Sequence, residues 1–203
     1  MVKRETIVGV KASLALFQAT AAVQLFLVLA SVSFAFGILF VCFTVDHKLL
    51  FGALTEQAVE DGFFFYTTFY NSPPVIKLVL HSMAGFGVLG LITKLHKWDE
   101  SAMFFDGSSL ALYIFALGVY LTVSIPSLRT IVDPIVGVDT QSDRIEAMRV
   151  LGAGNTIIMV LLGAVLCLQA GEEYARRYEA KVMAGVTEKE PKAAAPSAEK
   201  KTQ

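Results

Sequence analysis

Charged residues are scarce in this sequence. Only 17% of its 203 residues are Asp, Glu, Lys or Arg, against about a quarter in a typical soluble domain. Residues 12–45, 107–128 and 150–171 contain no charged side chain, and residues 75–95 carry only Lys77 and Lys94, near the two ends. Because about 20 apolar residues can cross a bilayer, this scarcity of charge excludes an ordinary soluble protein and predicts four membrane spans.

The predicted fold is all-α: a polytopic, four-transmembrane-helix bundle with a disordered C-terminal tail. We expect spans at about residues 22–43, 75–95, 107–128 and 150–171, within a membrane domain of residues 1–182. The remaining residues, 183–203, are rich in Lys, Glu, Ala and Pro, a composition typical of disordered segments. Loops are expected at residues 44–74, 96–106 and 126–149, with Asp106 placed to cap the third span.

The first predicted loop is acidic and then aromatic, with a run of Phe and Tyr at residues 63–70. Aromatic side chains beside a span commonly form a belt at the membrane interface. A surface that contacts other proteins is the alternative interpretation.

Signs of catalysis or of metal binding are also scarce. The two cysteines, Cys42 and Cys167, fall in different spans, where they behave as small apolar side chains. His81 is the only ionisable side chain predicted to lie well inside a span; it can serve a proton relay or, as is more usual, bond to a neighbouring helix. The sequence therefore predicts a protein that is not an enzyme, with no cofactor, metal site or nucleic-acid partner.

Small and polar residues recur within the spans. Such residues let helix backbones approach and let side chains bond across helices. They pack either within this bundle or against the helices of a client protein. The candidate client-binding or helix-packing face consists of Ser31, Ser33, Gly37, His81, Gly85 and Asn155.

The distribution of Lys and Arg predicts the orientation. If both termini face the cytosol, that side carries twelve basic residues and the other side five, as the excess of positive charge in cytosolic segments requires. The chain ends in Lys200-Lys201-Thr202-Gln203, the form of a dilysine retrieval signal. Such a signal is an address that a receptor reads, and on a cytosolic tail it indicates the endoplasmic reticulum.

Several segments then point to one family by their order relative to the spans. The chain resembles, over about residues 34–178, the fungal membrane chaperones of the endoplasmic reticulum that help amino-acid permeases fold and leave that compartment (the secretory component family). The segments that carry the resemblance are VDHKLLF at 45–51, YTTFYNSPP at 66–74, HS at 81–82, FFDGSSL at 104–110 and LQAG at 168–171.

This resemblance implies a specific function. The membrane domain would prevent newly made amino-acid permeases from aggregating and promote their folding, and the cytosolic tail would contact the vesicle coat proteins (COPII) at exit sites. The alternative is a small polytopic transporter or channel subunit, which would require charges at mid-membrane depth, broken helices or repeat symmetry.

Overall fold

The computed structural model describes residues 2–95 and 100–193, and these residues contain helices and turns but no β-strand. The helices are α1 (Val2–Phe51), α2 (Glu56–Tyr70), α3 (Pro74–Leu95), α4 (Glu100–Val119), α5 (Ile125–Val132) and α6 (Gln141–Ala193), and a π-helical segment (Tyr120–Ser124) joins α4 to α5. Four stretches are long and apolar enough to cross a membrane: Ala19–Phe51, Pro74–Leu95, Met103–Val132 and Gln141–Met183. The all-α, four-span prediction is confirmed.

The spans form a ring in which α1 and α4 each pack against both α3 and α6. Gln24 bonds to the Thr93 carbonyl and Ser31 to the Met83 carbonyl, so α1 and α3 run antiparallel. The core at the centre of the ring is apolar apart from one hydroxyl, that of its tyrosine. It consists of Val28, Val32, Leu91, Tyr113, Ala116, Ile158, Leu162 and Val165.

A second core lies where α2 packs against α1 and α5, which we call the α2 end of the bundle. Its buried residues are Leu49, Ala58, Tyr66, Ile131, Met148 and Leu151. On α2, Ala58, Gly62 and Tyr66 recur every four residues and are buried, as expected for one face of a helix. A methyl group at Gly62 would lie 3.0 Å from the Met148 sulfur, so the absence of a side chain there allows close packing.

The predicted loops are much shorter in the structure. The prediction of a loop over residues 44–74 was wrong, because α1 continues to Phe51 and the aromatic run belongs to α2. The loop predicted over residues 126–149 is likewise mostly helix, namely α5 and the start of α6. Both errors have one cause: hydrophobicity marks where a chain meets the membrane interface, whereas a helix continues until its backbone is capped.

The turn between α5 and α6 contains Asp133-Pro134 and Gly137. Gly137 has φ of +83°, a backbone conformation that glycine adopts without strain. The Thr140 backbone N–H donates to the Asp143 carboxylate at 2.8 Å, and the Asp143 N–H donates back to the Thr140 hydroxyl at 3.3 Å. This reciprocal cap fixes the start of α6.

The end of α6 differs from the predicted boundary of the tail. The helix continues past residue 182 to Ala193, so residues 183–193 are helical. Ala, Lys and Glu have high helix propensity as well as low hydrophobicity, and the composition of this segment therefore suits a helix extended into water. Lys200 and Lys201 lie outside the described residues.

Candidate functional site

At the α2 end, a buried polar cluster joins three helices. The Asn155 amide of α6 donates to the Asp46 carboxyl of α1 at 3.0 Å and to the Tyr66 hydroxyl of α2 at 3.3 Å. The Tyr66 hydroxyl also donates to Asp46. Burial raises the pKa of the Tyr66 phenol, which keeps this hydroxyl protonated and able to donate.

This α2-end cluster depends on a close approach of α1 to α6. Asp46 is 0% exposed, and a methyl group at Gly152 of α6 would lie 3.2 Å from the Asp46 Cβ. Gly152 therefore allows α6 to bring Asn155 within bonding distance of the carboxyl group.

A second polar contact lies near the middle of the spans. The Ser31 hydroxyl donates to the Met83 carbonyl at 2.5 Å and lies 3.0 Å from the Tyr113 hydroxyl, which donates in turn to the Ala84 carbonyl at 3.2 Å. Gly87 of α3 leaves the space in which these hydroxyls meet, since a methyl group there would lie 2.6 Å from the Ser31 oxygen. Ser31 thus connects α1 to α3 and α4.

The third cluster lies where α3 and α4 are connected, at the hairpin end of the bundle. The Lys94 ammonium is 2.7 Å from the Asp106 carboxylate and 2.6 Å from the Glu172 carboxylate, and it donates to the Gln169 amide oxygen at 2.6 Å. The Gln169 amide nitrogen donates to Asp106 at 3.0 Å and to Ser109 at 3.1 Å.

The charges of this hairpin-end cluster balance. Glu172 pairs with Arg176 as well as with Lys94, so two cations face two carboxylates. Lys94, Asp106 and Glu172 are each at most 7% exposed. Because every member has a partner, the cluster can stay buried without leaving an uncompensated charge.

The residues of the predicted face divide into two groups. Ser31 and Asn155 are buried and form hydrogen bonds inside the bundle. Ser33, Gly37 and Gly85 are exposed on the outside, and a methyl group added at either glycine would meet no atom within 4 Å. The small residues of the predicted face therefore do not form one surface.

His81, the sixth predicted residue, is also exposed. Its Nδ1 lies 2.6 Å from the Lys77 carbonyl and its Nε2 lies 3.3 Å from the Tyr120 hydroxyl. The ring thereby connects α3 to the π-helical segment, a bond to a neighbouring element of the kind that the sequence suggested. Lys77 lies with its ammonium 5.0 Å from the centre of the Tyr70 ring.

Sequence reasoning missed most of the buried charges. Asp106 was predicted to cap the third span, but it lies inside α4 and is buried beside Lys94. The sequence also did not indicate that Asp46 and Lys94, which lie toward the ends of their spans, are buried in the bundle. The sequence did contain a signal for the ion pairs of the hairpin end. Lys94 is positive and Asp106 and Glu172 are negative, and all three lie at span ends predicted to be on the same side of the membrane.

The chemistry available at these clusters is hydrogen bonding and ion pairing between helices. Among the residues that the structure describes, no group of three or more His, Cys, Asp or Glu side chains is arranged to hold a metal ion. The clusters fix helix positions from inside, and they leave an outer surface that is largely apolar and includes small residues.

Comparison with known proteins identifies the family of this chain. The family model for SHR3 chaperones, described as "ER membrane protein SH3", matches residues 19–203. Searches for similar curated proteins and for similar solved structures gave no match.

Proposed function

Because the chain belongs to the SHR3 chaperone family of endoplasmic-reticulum membrane proteins, we propose that it chaperones newly made amino-acid permeases in that membrane. The observation that carries this proposal is the family match over residues 19–203. In this proposal the protein catalyses no reaction. It keeps permeases from aggregating, promotes their folding and supports their export in coated vesicles.

The physical need for such a protein arises from the permeases themselves. A transporter with broken helices and intramembrane polar groups exposes surfaces that lipid cannot satisfy until all its spans have packed. The buried hydroxyl, amide and charged groups of the three clusters already bond inside this bundle. The bundle can therefore fold without a client.

We assign the client contacts to the outward small residues Ser33, Gly37 and Gly85, with His81 nearby in sequence on α3. Open space above the two glycines allows another helix to approach closely. Contacts of this kind are worth about 1 kcal/mol each, so capture by several of them remains reversible. Ser31 and Asn155, from the same predicted set, act indirectly by holding the bundle together.

The orientation proposed from the sequence places both termini in the cytosol and the α2 end in the lumen. The tail would then be available to vesicle coat proteins, and Lys200 and Lys201 would return escaped protein to the endoplasmic reticulum. The twelve basic residues on the proposed cytosolic side support this orientation.

The geometry gives less support to the transporter alternative. Its expected mid-membrane charges are not found among the described residues: Asp46 lies in the α2-end cluster, and Lys94 is the penultimate residue of α3. Both are engaged by partners from other helices.

A combined substitution of the three outward small residues tests the proposal. Ser33→Leu, Gly37→Leu and Gly85→Leu should be combined in cells that depend on this protein, and the location and aggregation of several permeases compared. We expect permeases to aggregate in the endoplasmic reticulum while the variant stays abundant and correctly placed. The matched control combines Ala22→Leu, Ala111→Leu and Ala170→Leu, which are also exposed positions on the spans, and it should retain function.

A different result would support the transporter alternative. If the variant leaves every permease at the cell surface, and the purified wild-type protein moves a solute across vesicles, the chaperone proposal is wrong.

A further inference from the structure

His81 and Tyr120 form a polar pair inside two neighbouring spans. The His81 Nε2 lies 3.3 Å from the Tyr120 hydroxyl and so joins α3 to the first residue of the π-helical segment. At about 1.5 Å per residue, His81 lies about 10 Å from the start of its span at Pro74. By the same measure, Tyr120 lies about 18 Å from the end of its span at Val132. Both side chains are therefore at the depth of the hydrocarbon layer.

The contacts of the His81 ring determine where its proton lies. The Nδ1 atom is 2.6 Å from the Lys77 carbonyl oxygen, and because a carbonyl oxygen only accepts, Nδ1 carries the proton in the neutral ring. Nε2 is then an acceptor, and the Tyr120 hydroxyl donates to it. A phenol oxygen that has donated its one proton can still accept a hydrogen bond. The pair therefore has acceptor capacity, while its own two protons are already engaged.

The bond between the two side chains is long. Its length of 3.3 Å exceeds the range of about 2.7–3.2 Å that is usual for hydrogen bonds to nitrogen and oxygen. Nε2 can therefore accept from a donor that comes closer. His81 is exposed, and lipid chains provide no donor at this depth. An ionisable side chain inside a span is costly and commonly marks a functional site.

The surface of α3 beside His81 is open to another helix. Gly85 lies one turn farther along α3, within about 40° of the direction of His81, and a methyl group added there would meet no atom within 4 Å. Leu78, about one turn before His81, is 65% exposed. A glycine on an open helix surface lets a second backbone come close. A helix that packs at Gly85 would therefore bring its side chains within reach of the polar pair.

We propose that His81 and Tyr120 accept a hydrogen bond from a hydroxyl or amide side chain on a transmembrane helix of a client permease. This inference rests on the proposed chaperone function and gives it a chemical selectivity. The pair bonds to donors, whereas a side chain that can only accept gains no bond there. Transporter spans contain polar side chains that need partners within the membrane. One bond between membrane helices changes an equilibrium about threefold, so the client can leave once its own helices supply the partner.

Site-specific photo-crosslinking in cells tests the contact. A photoreactive amino acid replaces Leu78 beside the pair or, as a control, Val160 of α6, which is 68% exposed. We expect newly made permeases to crosslink several-fold more from position 78. Mass spectrometry of the crosslinked peptides then identifies the client helix that lies there.

Two variants with the crosslinker at position 78 test the hydrogen bond, and each crosslink is expressed per folded molecule. His81→Leu combined with Tyr120→Phe removes both acceptors and should reduce the permease crosslink about threefold. His81→Gln keeps an acceptor oxygen and should leave the crosslink unchanged. A decrease in His81→Gln as large as in the double variant would show that acceptor chemistry is not the reason.

A double-mutant cycle with the client separates a direct contact from an indirect one. In the identified client helix, the hydroxyl or amide side chain nearest the crosslink is replaced by an apolar one, for example threonine by valine. This change should reduce the crosslink about threefold when the pair is intact. It should have no further effect when the pair carries His81→Leu and Tyr120→Phe. Additive effects would overturn the proposal, because they would show that the two groups do not interact.

The remaining outcomes separate this inference from the proposed function. An unchanged crosslink per folded molecule in the double variant would overturn the acceptor assignment and leave the pair as a bond within the bundle. Equal permease crosslinks from positions 78 and 160 would also overturn it, while leaving the chaperone proposal intact. No permease crosslink from either position, with permeases normal at the surface of cells lacking the protein, would overturn both.

Discussion

Lys94 near the end of α3 and Asp106 in α4 form a buried ion pair at 2.7 Å, across the connection between these helices. Glu172 of α6 contacts the same ammonium group at 2.6 Å. A single cation thus fixes the relative positions of three of the four spans at the hairpin end.

The first prediction is that Lys94→Met destabilises the bundle by about 3–5 kcal/mol, because it leaves two buried carboxylates without their shared cation. Thermal unfolding of the purified protein in detergent would measure this loss. Lys181→Met, at an exposed position of the same long α6 that carries Glu172, should change stability little. Adding Asp106→Asn and Glu172→Gln to Lys94→Met should restore part of the stability; no restoration would show that charge compensation is not the reason.

The second prediction compares two glycines of α3. Gly87→Ala should destabilise the protein by about 1–3 kcal/mol through overpacking, since the new methyl group would lie 2.6 Å from the Ser31 oxygen. Gly85→Ala meets open space and should stabilise the helix by up to about 1 kcal/mol. Unfolding temperatures of the two variants, measured side by side, should move in opposite directions. Equal shifts would contradict the close approach at Gly87.

The third prediction concerns Asn155→Leu. This change removes the amide that donates to Asp46 and Tyr66, and it should cost about 1–3 kcal/mol because a buried carboxyl oxygen loses its partner. Permease protection should then decrease only in proportion to the loss of folded protein. Asn71→Leu, at an exposed position, is the control. Full stability combined with lost protection would instead make Asn155 a direct client contact.

The fourth prediction is the topology. A glycosylation acceptor introduced near Asp139, in the turn between α5 and α6, should be modified because this turn is proposed to face the lumen. An acceptor placed in the tail should remain unmodified. Electrophoretic mobility before and after enzymatic deglycosylation measures both. The reverse pattern would refute the orientation and, with it, the proposed retrieval signal.

The fifth prediction concerns the retrieval signal. Replacing Lys200 and Lys201 with Ser should let part of the protein reach later compartments, while the bundle remains folded and able to protect permeases. Fractionation or imaging would detect the leak. Replacing Lys189 and Lys192, which lie outside the required spacing, should leave the location unchanged. An unchanged location after both double substitutions would assign retention to the spans.

The sequence was sufficient to predict the spans, because long uncharged runs such as residues 107–128 are explained by burial in a bilayer. The sequence was not sufficient to predict that Lys94 and Asp46 are buried. A charged residue near the end of a span is expected at the membrane interface unless its bonding partners are known. Those partners are distant in sequence: Asn155 lies 109 residues from Asp46.

The orientation of the small residues also could not be predicted from the sequence. Ser31 and Ser33 belong to small-residue pairs of the same kind, yet Ser31 bonds inside the bundle and Ser33 is exposed. Two positions apart on a helix differ by about 200° in direction, so one of them must face away from the other. Which serine faces inward depends on the neighbouring helix. Here Gly87 of α3 leaves room for the Ser31 hydroxyl.

The length of α6 has a consequence for whatever binds the tail. From Glu172, which contacts Lys94 in the hairpin-end cluster, the helix continues to Ala193, a length of about 30 Å at about 1.5 Å per residue. This distance is comparable to the thickness of the hydrocarbon layer itself. In the proposed orientation, a coat protein that binds the chain beyond residue 193 would therefore contact it about 30 Å from the hairpin-end cluster, where Lys94 joins α6 to α3 and α4.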